Sequence, residues 1–133
     1  MKPNLNVRIC LIFFIMGFYG LQISFAQDNK IYTTPAKMPI YPSGKLALAK
    51  FLKDNVKYPE EAKAANIKGI VVVSFIVEKS GALTSIEVIN GIGKGCDVEA
   101  LRIVRKMPKW YPGSVGRKPV RALYKLSIAF PQT

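Results

Sequence analysis

Between residues 69 and 77 the chain alternates without a break. Val71, Val73, Phe75 and Val77 fall on one face, and Ile70, Val72, Ser74 and Ile76 on the other. A period of two in β-branched residues predicts a strand. Glu78-Lys79-Ser80-Gly81 supplies a hairpin connection with a glycine able to take positive φ, and a return strand is expected over 83–90. Near the end, Val120, Ala122, Tyr124, Leu126, Ile128 and Phe130 alternate with Arg121, Leu123, Lys125, Ser127 and Ala129, predicting a long last strand. Elsewhere the period lengthens. Leu48, Phe51, Leu52 and Val56 predict a helix over 44–55. Pro59-Glu60-Glu61 opens a short helix over 59–65, with proline in its first turn and both acids at the positive end of its dipole. Val98, Leu101, Val104 and Met107 form the stripe of a third helix over 97–107, acidic at its start, basic at its end and stopped by Pro108. Helix, helix, strand, strand, helix, strand predicts an α+β domain: a small three-stranded antiparallel sheet with two or three helices on one face.

The first 26 residues carry a different pattern. Lys2 and Arg8 precede an almost wholly apolar run over 9–18, and Ser24-Phe25-Ala26 ends the segment. A basic start, an apolar stretch and a small-x-small ending make a signal peptide over 1–26, with Gln27 as the new N-terminus. The 18 residues of 9–26 are also at the short limit of a membrane span, so an uncleaved inner-membrane anchor is the alternative. Either way the remainder is expected in the periplasm. Residues 27–43 hold Pro35, Pro39 and Pro42 and read as an extended lead-in, and 44–133 as the folded domain.

Charge and chemistry then narrow the partners. Twenty Lys and Arg face eight Asp and Glu, a formal charge of +12. An anionic envelope surface suits that balance, whereas export argues against nucleic acid. With no histidine in the chain, His-based metal sites and His-dependent triads are excluded. No convincing pair of acids points to acid–base catalysis, so neither an enzyme nor a cofactor is expected. Three glycines over 91–95 lack the Lys-Ser/Thr ending of a phosphate loop and read as a plain loop. Cys10 falls in the signal segment, and Cys96 is expected to be buried as a small apolar residue.

Tyr58-Pro59, the G-x-V-x-V-x-F-x-V strand from Gly69, Ser80-Gly81, Glu99-Ala100, Trp110 with Pro112-Gly113, and a last strand ending in Phe130 occur in one order. Over about residues 55–130 this combination resembles the C-terminal domain of TonB, which links inner-membrane energy to outer-membrane receptors. Residues 41–44 and the lysine-rich helix after them resemble an extension found in one branch of that family. The resemblance implies that an extended receptor peptide pairs with the last strand at Val120, Arg121, Ala122, Leu123, Tyr124, Lys125, Leu126 and Ser127. It also implies that Asn55 and Lys57, before the Tyr-Pro pair, approach that peptide. Two family features differ: the apolar N-terminal stretch holds no His, and the lead-in spans only roughly 50 Å when extended. A binding module is therefore the first expectation, and a self-associating structural or regulatory protein the alternative. The second face of the first strand, with Ile70, Val72 and Ile76 joined by Ile89 and Leu123, is aliphatic enough to point to cover by the lead-in, by the helix over 44–55 or by a second copy, with simple exposure as the remaining alternative. The mature chain is expected to begin near Gln27. An intact mass that retains residues 1–26 would contradict this and establish the anchor.

Overall fold

The computed structural model describes residues 29–132. The signal segment, Cys10 and the expected new N-terminus Gln27 lie outside the described residues. In chain order the elements are β1 (Ile31–Tyr32), α1 (Lys45–Asn55), α2 (Glu60–Ala64), β2 (Gly69–Val77), β3 (Leu83–Asn90), α3 (Cys96–Lys106), β4 (Gly113–Val115) and β5 (Lys118–Phe130). The three long strands and three helices stand where the periodicity put them. The three-stranded sheet is a correction: the order is β1-β5-β2-β3, with β4 also paired to β5. β1 joins parallel to β5, so the sheet is mixed. Two- and three-residue strands are too short to show a period, which is why β1 and β4 escape sequence reading.

β2 and β5 pair antiparallel in unbroken register from Gly69↔Phe130 to Val77↔Ala122. Directly opposed residues share a face. Val71, Val73, Phe75 and Val77 therefore lie beside Ile128, Leu126, Tyr124 and Ala122, and this face carries the core. Leu48 and Leu52 of α1 and Ala100, Ile103 and Val104 of α3 complete it. Each fully buried aliphatic side chain here contributes about 1.5–3 kcal/mol.

The stripe expected on α3 is rotated. Val98 is exposed, and the buried set is Cys96, Ala100, Ile103 and Val104. The Asp97 carboxylate accepts the N–H groups of Ile92 (2.8 Å) and Gly93 (3.2 Å), which fixes the helix start. With Asp97 turned to the loop, small Ala100 and Cys96 face the sheet. Burial raises the Cys96 thiol above its ordinary pKa, and the neighbouring Asp97 charge acts in the same direction.

On the opposite face, Ser74 and Ile76 are buried. Ile76 stands in register between Leu123 and Thr84. Ile70 (53% exposed) and Ile89 (47%) remain open to solvent. The helix over 44–55, one of the covers expected for this face, packs on the core side instead.

The β2–β3 turn is locked to the far side of the fold. Gly81 has φ +88°, its carbonyl accepts the Trp110 N–H at 2.9 Å, and a Cβ there would meet the Trp110 carbonyl oxygen at 2.1 Å. Gly81→Ala is expected to cost more than the ~1–2 kcal/mol of the left-handed conformation alone. Chemical denaturation of wild type and variant measures the difference, and a cost below 1 kcal/mol would contradict the contact.

Candidate functional site

β5 is the strand on which the expected partner residues lie, and its two long sides differ. One side is paired with β2 from Ala122 to Phe130. On the other, β1 takes Arg121 and Ala122. Val120 is engaged by Gly113 of β4. Of the residues expected to meet a peptide, Val120, Arg121 and Ala122 are thus bonded to the chain's own strands. Leu123, Tyr124, Lys125, Leu126 and Ser127 have no strand beyond β2 among the described residues. The same holds through Phe130.

The closing of the first part of that edge has a side-chain cause. Arg121 makes a two-pronged pair with Glu78, Nε at 2.7 Å and Nη2 at 3.0 Å, while Thr84 Oγ1 donates to Glu78 at 2.6 Å. The remaining arm, Nη1, donates to the Asn29 carbonyl at 2.9 Å and so holds the start of the lead-in against the strand. The hydrogen bond from Arg121, then that from Thr84, holds the Glu78 carboxyl below its ordinary value. The lead-in is fastened again by Lys37 to Ser114 and Ile40 to Tyr111 through paired backbone bonds.

The sheet's other outer strand, β3, is a poorer template. Its ladder with β2 has irregularities between Val72 and Val73 and between Ser74 and Ile76, and Ser85 has φ +50°. Such irregularities twist an edge and interrupt its row of donors and acceptors.

Beside the free part of β5 runs α1. At one end a cavity of about 240 Å³ lies between Leu48, Tyr41, Trp110 and Tyr124, with Lys45 at its rim. At the other a groove of about 350 Å³ separates Lys50 and Lys53 from Ser127, Ala129 and Gln132. Trp110 is buried, packed edge-on to Tyr41 and Phe75 at 5.6 and 5.4 Å and against Tyr124 at 4.8 Å. Its indole N–H has no acceptor among the described residues. Trp110 reads from sequence as a cover for the core edge; that it also walls a cavity with Tyr41 and Leu48 needs the fold.

Asn55 and Lys57 are placed by α3. Glu99 Oε1 accepts the Lys57 backbone N–H at 2.8 Å, and Arg102 Nη2 donates to the Asn55 carbonyl at 3.0 Å. Glu99 and Arg102 also pair through two bonds, at 2.7 and 2.6 Å. Asn55 returns its amide to the Phe51 carbonyl at 2.8 Å. Both residues are therefore tied into the link between α1 and α2. Tyr58 initiates no contact with the edge either: its hydroxyl donates to the Ile67 and Ala62 carbonyls and braces α2. In the glycine loop, the Asp97 carboxylate occupies the N–H groups of Ile92 and Gly93. Among the described residues no cluster of acids and thiols has the makings of a metal site.

Residues 54–131 match the family described as Gram-negative bacterial TonB protein C-terminal. The chain belongs to the TonB C-terminal family. This TonB domain is non-catalytic and periplasmic, and the family's role is in TonB-dependent energy transduction through binding of TonB-dependent receptors. Among solved structures, the solution structure of the TonB C-terminal domain from Helicobacter pylori (residues 194–285) is similar at 22% identity and a TM-score of 0.48, covering 66% of this chain and 92% of that one. No curated protein matches the sequence. The match begins at residue 54, so the lead-in and nearly all of α1 lie before it.

Burial pushes the Glu99 carboxyl up, but the bonds from Arg102 and the Lys57 N–H outweigh it and leave Glu99 below its ordinary value of 4.5. The unfolded chain therefore takes up this proton at higher pH than the folded one. The stability Glu99 contributes is complete above its ordinary value and is lost as pH falls through the depressed one. Glu99→Gln is expected to cost about 1–3 kcal/mol at neutral pH. Between about pH 5 and 3 its melting temperature should fall less steeply than wild type. Parallel slopes would contradict the assignment.

Proposed function

We propose that this TonB domain captures an extended segment of a TonB-dependent outer-membrane receptor by adding it as a strand to residues 123–130 of β5. The observation that supports this reading is the one-sided pairing of that stretch: a full ladder to β2 and, among the described residues, no strand on its other side. A row of unpaired N–H and C=O groups is a template for an incoming chain. β1 and β4 take up the strand's first residues, which limits the incoming segment to the part beyond Ala122. Asn55 and Lys57 serve as a fixed link holding α1 beside the edge, in place of the direct contact the family resemblance implies. Residues 1–26 deliver the chain to the periplasm, as a cleaved signal or as an anchor. Self-association through the sheet is the second reading, and the exposed Ile70 and Ile89 favour it.

A backbone N-methyl scan from Leu123 to Ser127 tests strand capture. Along a strand successive N–H groups point to opposite sides, so methylation of one alternating set breaks the β2 ladder and lowers the melting temperature. Methylation of the other set should leave melting unchanged and abolish binding of a synthetic receptor-segment peptide. Sedimentation at the same concentrations reports self-association. Unchanged peptide affinity in a folded, outward-methylated protein would sink the reading.

A further inference from the structure

Resting on self-association through the sheet and independent of strand capture, we infer that the sheet face turned away from the helices is an interface for a second copy of this chain, related by a two-fold axis running along β2. Charge singles this face out. The chain carries twenty Lys and Arg against eight Asp and Glu, so most ways of bringing two copies together are repulsive. Residues 69–78, 83–90 and 121–130 hold four charged groups, Glu78, Glu87, Arg121 and Lys125, and these balance. The alternation of their strands puts all four on this face. Glu78 and Arg121 bond to each other at one end of it. Glu87 and Lys125 are exposed and have no ion-pair partner among the described residues.

The register places those two groups for a symmetric contact. Ser74, beside the middle of β2, opposes Glu87 on β3 and Lys125 on β5. One row across the sheet therefore reads acid, serine, cation, with about 4.8 Å between strands. A two-fold axis along that row would set Glu87 on the partner's Glu87. An axis along β2 exchanges the outer strands instead, and sets each Glu87 on the partner's Lys125. Two ion pairs then form about one axis, with like charges kept apart.

The apolar groups fit the same axis. Ile70, Val72 and Ile76 of β2 meet their own counterparts along it. Asn90, Val72 and Ser127 share the next row on this face. Ile89, 47% exposed beside Asn90, thus lies over the partner's Ser127 and Ala129, whose small side chains leave room for it. Sheets stacked face to face keep their strands within about 30° of each other, which this axis allows. The outer edge of β5 stays open, because its N–H and C=O groups point within the plane of the sheet. Three strands of nine residues present roughly 400 Å² per copy in projection. That is about half of a standard interface, so the dimer is weak and forms at about 0.1 mM and above.

Sedimentation equilibrium of the full chain from about 10 µM to 1 mM tests this. A monomer–dimer equilibrium is expected. Ile70→Lys alters a half-exposed side chain; it should melt as wild type, stay monomeric and keep wild-type affinity for a receptor-segment peptide. E87K and K125E should each dimerise roughly tenfold more weakly alone. Mixed in equal amounts they should form a one-to-one dimer, and the E87K/K125E double variant should recover the wild-type constant. Lys53→Glu, on α1, changes net charge as K125E does and should not weaken the dimer. A monomer at every concentration overturns the inference, as does a dimer indifferent to I70K and to both charge reversals. If such an indifferent dimer is dissociated by outward N-methylation of β5, the copies pair edge to edge and this face is not the interface. Loss of peptide affinity in I70K would overturn the independence of the two surfaces, whereas peptide binding lost only on N-methylation leaves strand capture standing in every case.

Discussion

Three segments far apart in sequence meet at the indole of Trp110, and a fourth at its backbone. Phe75 comes from β2, Tyr124 from β5 and Tyr41 from the lead-in; the Gly81 carbonyl from the hairpin turn accepts the Trp110 backbone N–H. The contacts are edge-on or steeply tilted, the arrangement aromatic quadrupoles favour. Because the ring touches both central strands, it closes the core at the end where α3 has already finished. Because it also touches Tyr41, it sets where the lead-in turns into α1. Phe51 on α1 then packs on Tyr41 at 5.9 Å, so this chain of rings joins Leu48, Leu52 and the Asn55 link in positioning the helix beside the free edge. Loss of the ring would leave the β2–β5 ladder its own hydrogen bonds but remove one of the contacts that align α1 with it.

A sheet with a usable edge must keep that edge from pairing indiscriminately. Here the outer strands are treated differently. β3 is bent by two irregularities in its ladder and by the left-handed Ser85. β5 keeps straight register with β2 throughout, and its outer side is shortened by β1 and β4 and flanked by α1. Lysines along α1 and at Lys125 add repulsion toward a second copy of the same basic edge. The Glu78–Arg121 pair links these two treatments, since it joins the end of β2 to the residue of β5 that holds the lead-in.

Much of this was legible in the sequence because its strands and helices are long enough to show their periods. In β5 burial follows parity from Val120 to Phe130, with Tyr124 half-buried; in β2 the core face from Val71 to Val77 is buried throughout, and Ser74 and Ile76 opposite are buried as well. Trp110 and Cys96 stood out as residue types that seek the interior, and both are buried. The stripe on α3 was misplaced because hydrophobicity ranks Val98 above Ala100, whereas a helix fixed by Asp97 and set close to a sheet packs through small residues. β1 was invisible for another reason: Ile31 and Tyr32 pair with Arg121 and Ala122, each 90 positions away, and no local pattern encodes such a pairing. The tie from Glu99 to Lys57 is likewise a contact between helix and linker 42 positions apart. Asn55 and Lys57 could be singled out by resemblance, but their role depends on which neighbours the fold brings to them.

Recognition by strand addition has a built-in weakness. Main-chain hydrogen bonds supply affinity, yet every sequence offers the same main chain, so discrimination has to come from side chains beside the edge. β5 alone offers few: Ser127 and Ala129 are small, and Leu126 and Ile128 point into the core. Of the side chains beside the edge, Tyr41, Lys45, Leu48, Lys50 and Lys53 precede residue 54, where the family match begins, and Trp110, Tyr124 and Lys125 lie within it. On the proposed capture, the pairing strand lies within the shared domain, while much of the wall facing the captured chain is built from the extension. In such an arrangement the pairing chemistry can stay fixed while selectivity changes through substitutions on α1, since the exposed lysines there carry none of the core.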